Sequence, residues 1–142
     1  MDRNFDLPYI AGYSKDGSRI YIDRHTPIFR LFQDGRATEF DTTPLLITHE
    51  TTEKALIDSL GYTYEQAHKV ATAAERRQFV SIIGPGLWGL YQAKMDQLAK
   101  HDEHEKLKKV PADLDLTPYL APPVDKKLLA HLEKFVHPDK IS

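Results

Sequence analysis

Residues 45–60, LLITHETTEKALIDSL, decide how this chain is read. Pro44 suits a first helical position, Thr42 or Thr43 offers a cap and Gly61 can end the run, so the stretch predicts an α-helix. At about 100° per residue, Leu45, Leu46, Leu56, Ile57 and Leu60 gather on one side. His49 and Glu53, one turn apart, occupy the middle of that apolar side, and Glu50 lies at its edge. A helix that turns a histidine and a carboxylate into its own core must satisfy them, because an unpaired buried charge is very costly.

Upstream, residues 1–8 are polar and end at Pro8, which predicts a flexible arm. Residues 9–14 and 19–24 flank Lys15-Asp16-Gly17-Ser18, and Asp-Gly between alternating segments signals a β-hairpin. Ile20 and Ile22 should face one way, Tyr21 and Asp23 the other. Pro27 interrupts the chain, and a second Asp34-Gly35 turn between residues 28–32 and 37–40 marks a weaker hairpin. A small antiparallel sheet before the first helix is the expectation.

Downstream, Thr63-Tyr64-Glu65-Gln66 fits a capping box that opens a second helix to about Ser81. Its stripe is Tyr64, Ala67, Ala71, Ala74, Phe79 and Ile82, with His68 and Glu75 on the same side. The alanines would let the first helix approach closely. Gly84-Pro85-Gly86 lacks the Lys-Ser/Thr of a phosphate loop and reads as a hinge. A third helix over residues 87–107 packs through Leu87, Trp88, Tyr91, Met95 and Leu98. Residues 111–123, PADLDLTPYLAPP, have no helical period and predict an extended segment anchored by Leu114, Leu116, Tyr119 and Leu120. A last amphipathic helix is expected over residues 124–136.

The 142 residues therefore suit one α+β domain: an arm over 1–8, a core over 9–110, and a tail with a terminal helix over 111–142. Hydrophobic residues make up 41% and charged residues 28%, as in a folded globular protein. A net charge of −2 gives no electrostatic case for nucleic acid. There is no cysteine, so disulfide and thiolate chemistry are excluded. No apolar run reaches the ~18 residues of a membrane span, and the first residues lack a signal-peptide core, so the expected address is the cytoplasm.

If the two helices pack antiparallel, His49, Glu53, His68 and Glu75 can meet. Two residues at i and i+4 suit two ligands of one ion, and imidazole with carboxylate suits zinc, iron or manganese. A hydrogen-bonded His–Glu network bridging the helices is also physically sufficient. Glu65 precedes His68 as ExxH, only a fragment of a di-metal carboxylate pattern. His101 and His104 lie among charges and read as solvated, and His25, His131 and His137 have no partner in the pattern.

His49-Glu50-Thr51-Thr52-Glu53 is HExxE, which resembles the HExxH helix of zincin metallopeptidases. That resemblance implies strands before the helix and a third ligand on the next one. It makes His49 a ligand, Glu50 the base that takes a proton from water, Glu53 the occupant of the second histidine's place and His68 the third ligand. Glu75 would be a further ligand or an acceptor for an imidazole N–H. Glu for His lowers the Lewis acidity of the metal. The chain also resembles a group of small bacterial and phage proteins with YSKDGS, HExxE, AHxxAT and PADLDLTPY segments, a likeness that implies no activity. The resulting expectation is a small metal-dependent hydrolase, most simply with zinc, acting on a small-molecule or peptide amide. Its competitor is a non-enzymatic structural or interaction module, with a protein partner, that keeps a structural metal or a buried His–Glu network.

Overall fold

Two separate hairpins, rather than one sheet, precede the first long helix in the computed structural model, which describes residues 2–100, 107–121 and 124–136. Strands β1 (Ala11–Tyr13) and β2 (Ile20–Ile22) pair antiparallel, as do β3 (Phe29–Gln33) and β4 (Arg36–Phe40). Pro27 lies in the connection between the hairpins and has no amide proton to offer a common ladder. In the second hairpin Gln33 pairs with Arg36 across Asp34 and Gly35. Both turn residues have positive φ, 52° and 75°, as a two-residue type I′ turn requires.

Helix α1 spans Thr43–Leu60 and α2 spans Tyr64–Ile82. Thr42 makes no side-chain cap; instead the Asp41 carboxylate accepts from the Thr43 amide at 2.9 Å. Gly61 ends α1 in the left-handed region at φ 66°, a conformation cheap only without a Cβ. The expected capping box opens α2, with Thr63 and Gln66 satisfying each other's amides. His49 meets Glu75 while Glu53 meets His68, so the helices run antiparallel. Ala67 and Ala71 are fully buried on the α2 face. Chain direction changes at a 3-10 turn, Pro85–Leu87, and α3 follows over Trp88–Lys100. Leu45, Phe29, Leu31, Phe79 and Tyr91 form one core, with Trp88, Met95 and Leu98 packed against it.

The apolar stripe of α1 is shorter than its sequence suggests. Leu45 and Leu46 are buried, Leu56 and Ile57 are half-buried, and Leu60 is exposed. On α2, Ile82 is likewise exposed. The second half of α1 instead buries Lys54, whose ammonium lies 2.6 Å from Asp115 and 3.1 Å from Asp58.

Asp115 belongs to the Pro-rich segment, which does lie across the domain. Ser14 and Leu114 form an antiparallel bridge, the Asp115 amide donates to Tyr13 O and the Lys15 amide to Asp113 O. A single turn, α4 (Thr117–Leu120), and a helix, α5 (Lys126–Leu132), complete the tail. Leu114, Tyr119, Leu128 and Leu132 form a second core with Leu7 and Tyr21, whereas Leu120 is exposed. Covered in this way, the first hairpin buries both Tyr21 and Ile22 on its opposite faces.

The expected loose arm is a correction. Asp2 bridges to Tyr21, and Asp6 and Leu7 are each only 1% exposed. The Asp6 carboxylate accepts from the amides of Lys108 and Lys109, at 2.8 Å each, and from Arg24 at 2.6 Å. His25 also approaches it, at 3.2 Å. Burial alone would raise the Asp6 pKa, but those amides and the guanidinium outweigh it and hold the carboxyl below its ordinary 3.8. A depressed folded-state pKa adds stability above the unfolded value that is lost as pH falls through the folded one. Asp6→Asn should therefore cost about 1–3 kcal/mol at neutral pH in urea melts. The gap between variant and parent should narrow below about pH 4; a gap that stays constant into acid would contradict this role.

Candidate metal centre

Four ionisable side chains converge where α1 crosses α2. His49 and Glu53 project from successive turns of α1, and His68 and Glu75 from α2. His49 Nε2 lies 3.1 Å from Glu53 Oε2 and 3.2 Å from His68 Nδ1, and His68 Nδ1 lies 3.1 Å from Glu53 Oε2. These three atoms form a nearly equilateral triangle. Glu75 is not a corner of it, because its Oε1 meets the other ring nitrogen, His49 Nδ1, at 2.9 Å. The remaining carboxylate oxygens are also occupied: Tyr13 donates to Glu53 Oε1 at 2.7 Å and Tyr91 to Glu75 Oε2 at 2.5 Å.

Proton accounting shows what the triangle needs. An ionised carboxylate only accepts, so His49 Nδ1 is the donor to Glu75. In a neutral ring, Nε2 is then a lone pair aimed at a carboxylate oxygen and at a second imidazole nitrogen. The three atoms can lie this close with a hydrogen or an ion between them: the N–H of a neutral His68 carried on Nδ1, a second proton on His49, or a metal ion. Burial opposes charge on His49, but Glu53 and Glu75 outweigh it and push the imidazole up to about 10. For Glu53, burial is outweighed by hydrogen bonds from His49, His68 and Tyr13, which hold its carboxyl low. The Tyr64 hydroxyl, 3.3 Å from His68 Nδ1, offers one further donor.

A metal ion fits the same place. Three atoms about 2.0–2.2 Å from a tetrahedral ion lie roughly 3.3–3.5 Å apart, close to the observed edges. His49, Glu53 and His68 could thus hold a divalent cation, and they are the only such group among the described residues. Glu75 would be the outer acceptor that orients a ligating histidine, while Tyr13 steadies the carboxylate ligand. His49, Glu53 and Glu75 are buried, whereas the His68 side chain is 48% exposed, more open than the buried face expected of it.

The triangle opens into a cavity of about 350 Å³. Glu50 lines it, half-buried and without a hydrogen bond or ion pair among the described residues. Burial pushes its carboxyl well above the usual range, the nearby Glu53 and Glu75 charges add to this, and His49 offsets part of it. The wall also carries backbone strain: Tyr9 and Ile10 have φ of 57° and 93°, and a β-branched residue is seldom found there. Pro118 and Tyr119 of the tail complete the lining.

The four residues that the helical pattern brings together do meet, and Glu50 faces the adjoining cavity. Glu65 is exposed and contributes to no second ligand group among the described residues. His101, His104 and His137 lie outside the described residues. Sequence reasoning missed Tyr13 and Tyr91, whose hydroxyls are sealed against the two carboxylates. Tyr13→Phe should leave Glu53 Oε1 without its donor and destabilise the fold by about 1–3 kcal/mol in urea unfolding. A neutral substitution would show that water reaches that oxygen.

No helix among the described residues is long and apolar enough to cross a membrane. Comparison with known families, curated proteins and solved structures finds no significant match.

Proposed function

We propose that the chain is a small metal-dependent hydrolase that binds zinc through His49, Glu53 and His68 and acts on an amide or peptide bond. The observation that supports this most is the convergence of three nitrogen and oxygen atoms of ligand type within 3.1–3.2 Å beside a cavity. A zinc ion there would supply Lewis acidity, polarising a carbonyl and lowering the pKa of water toward about 7. Iron or manganese would suit the same nitrogen and oxygen donors.

The chain's own groups do the rest. Glu75 holds His49 in the tautomer that presents Nε2, and Tyr13 keeps Glu53 from rotating away. Glu50 is the proton carrier: it takes a proton from the attacking water and returns it to the leaving nitrogen. Its elevated pKa suits the second step, and a nearby dication would lower that pKa toward the range the first step needs.

One observation favours a second reading. His49 is already paired at both nitrogens by carboxylates, so a proton alone can satisfy the network. The protein would then be a binding or structural module with a polar core.

Elemental mass spectrometry of untagged protein separates the two. The hydrolase reading expects about one equivalent of zinc, lost in both His49→Ala and His68→Ala. Glu50→Gln should keep the metal but lower amide hydrolysis by about 10²-fold or more. Metal-free protein that takes up no added zinc would overturn the hydrolase reading.

A further inference from the structure

We propose that the cavity beside the triangle selects substrates bearing a primary ammonium group and turns anionic ones away. The inference names the substrate class of the proposed hydrolase and rests on that reading for the reaction, though not for the binding preference. Four carboxylates line the cavity, Glu50, Glu53, Glu75 and Asp96, and no lysine or arginine does so among the described residues. A bound dication leaves the lining negative even with Glu50 protonated, because three carboxylates outweigh two positive charges. Away from the ion, a phosphate or free carboxylate would meet that field with no guanidinium or ammonium among the described lining residues to pair with it.

The remaining surfaces favour a cation. On α3, Trp88, Gln92 and Asp96 recur one turn apart and all line the cavity. Trp88 is half-buried, so part of its indole stays open, and the face of an indole attracts ammonium groups. Tyr9 and Tyr119, stacked with ring centroids 5.8 Å apart, add aromatic surface to the lining. Asp96 is exposed and lines the cavity, which places a carboxylate at the rim. Aromatic faces beside the Asp96 carboxylate, with no lysine or arginine among the described lining residues, make a subsite for ammonium. A volume of about 350 Å³ limits the occupant to a small molecule or one end of a peptide.

Binding of four probes to the full chain tests this, followed by NMR titration with and without one equivalent of zinc. Phenylalaninamide carries an α-ammonium, Nα-acetyl-lysinamide a side-chain ammonium, N-acetyl-phenylalaninamide no charge and N-succinyl-phenylalaninamide a negative one. At least one ammonium probe should bind about tenfold tighter than the neutral probe, and the succinyl probe should bind weakest. The preference should shrink with added salt and largely disappear in Asp96→Lys. The zinc-free arm removes direct coordination of an amine by the metal. Tighter binding of phenylalaninamide would place the ammonium beside the scissile bond, and tighter binding of the lysine probe would place it on a side chain. Equal or tighter binding of the neutral or succinyl probe, or no measurable binding of any probe, would overturn the proposal. Zinc-free protein that takes up no metal yet keeps the ammonium preference would sink the hydrolase reading alone. Zinc-loaded protein that favours the neutral probe would sink this inference alone.

Discussion

The hydrogen bond from His49 Nδ1 to Glu75 governs what every other group at the centre can do. It ties α1 to α2, fixes one ring nitrogen as a donor, and so turns the other toward Glu53 and His68. Glu75 is in turn held by Tyr91 from α3, and Glu53 by Tyr13 from the first hairpin. Four elements are therefore joined by polar contacts in the place where apolar packing would ordinarily suffice. Such a network is acceptable in a core only when each member is satisfied. What fills the triangle, a ring N–H or a metal ion, is where structure passes into function.

The tail matters to the same centre by a different route. Its residues pair with β1 and pin Lys54 through Asp115, and its apolar side chains close a second core over the first hairpin. Tyr13 sits on the strand between these layers, so the tail holds in place the hydroxyl that steadies Glu53. Pro118 and Tyr119 then reach the cavity itself. A segment without helical period thus supports the site from behind and forms part of its wall.

What was legible in the sequence was local. The capping box of α2, the glycine that ends α1 and the i, i+4 spacing of His49 and Glu53 depend on neighbours a few residues away, and the structure has them. The antiparallel helix pair followed from a three-residue connection and the small face of α2. The other features depend on distant partners. Nothing in residues 2–8 announces burial, because Asp6 is satisfied by amides more than a hundred positions further on. Leu60 fits the α1 stripe by angle, yet it stays exposed, because none of the described elements covers that end of the helix. Tyr13 and Tyr91 read as ordinary core aromatics, since a hydroxyl's partner is a tertiary fact. A tyrosine facing a predicted buried carboxylate was the available signal, and it needs a known packing to be used.

A metal centre here requires that Nε2 of His49 and Nδ1 of His68 face one ion. Long-range proton–nitrogen correlation spectra of the imidazoles, recorded through a zinc titration, read both atoms at once. With metal bound, His49 Nδ1 should stay protonated throughout, while His49 Nε2 and His68 Nδ1 move together to metal-bound shifts and stop at one equivalent. If both rings keep their starting shifts in excess zinc, with His49 protonated at both nitrogens, the centre holds a proton and binds no metal.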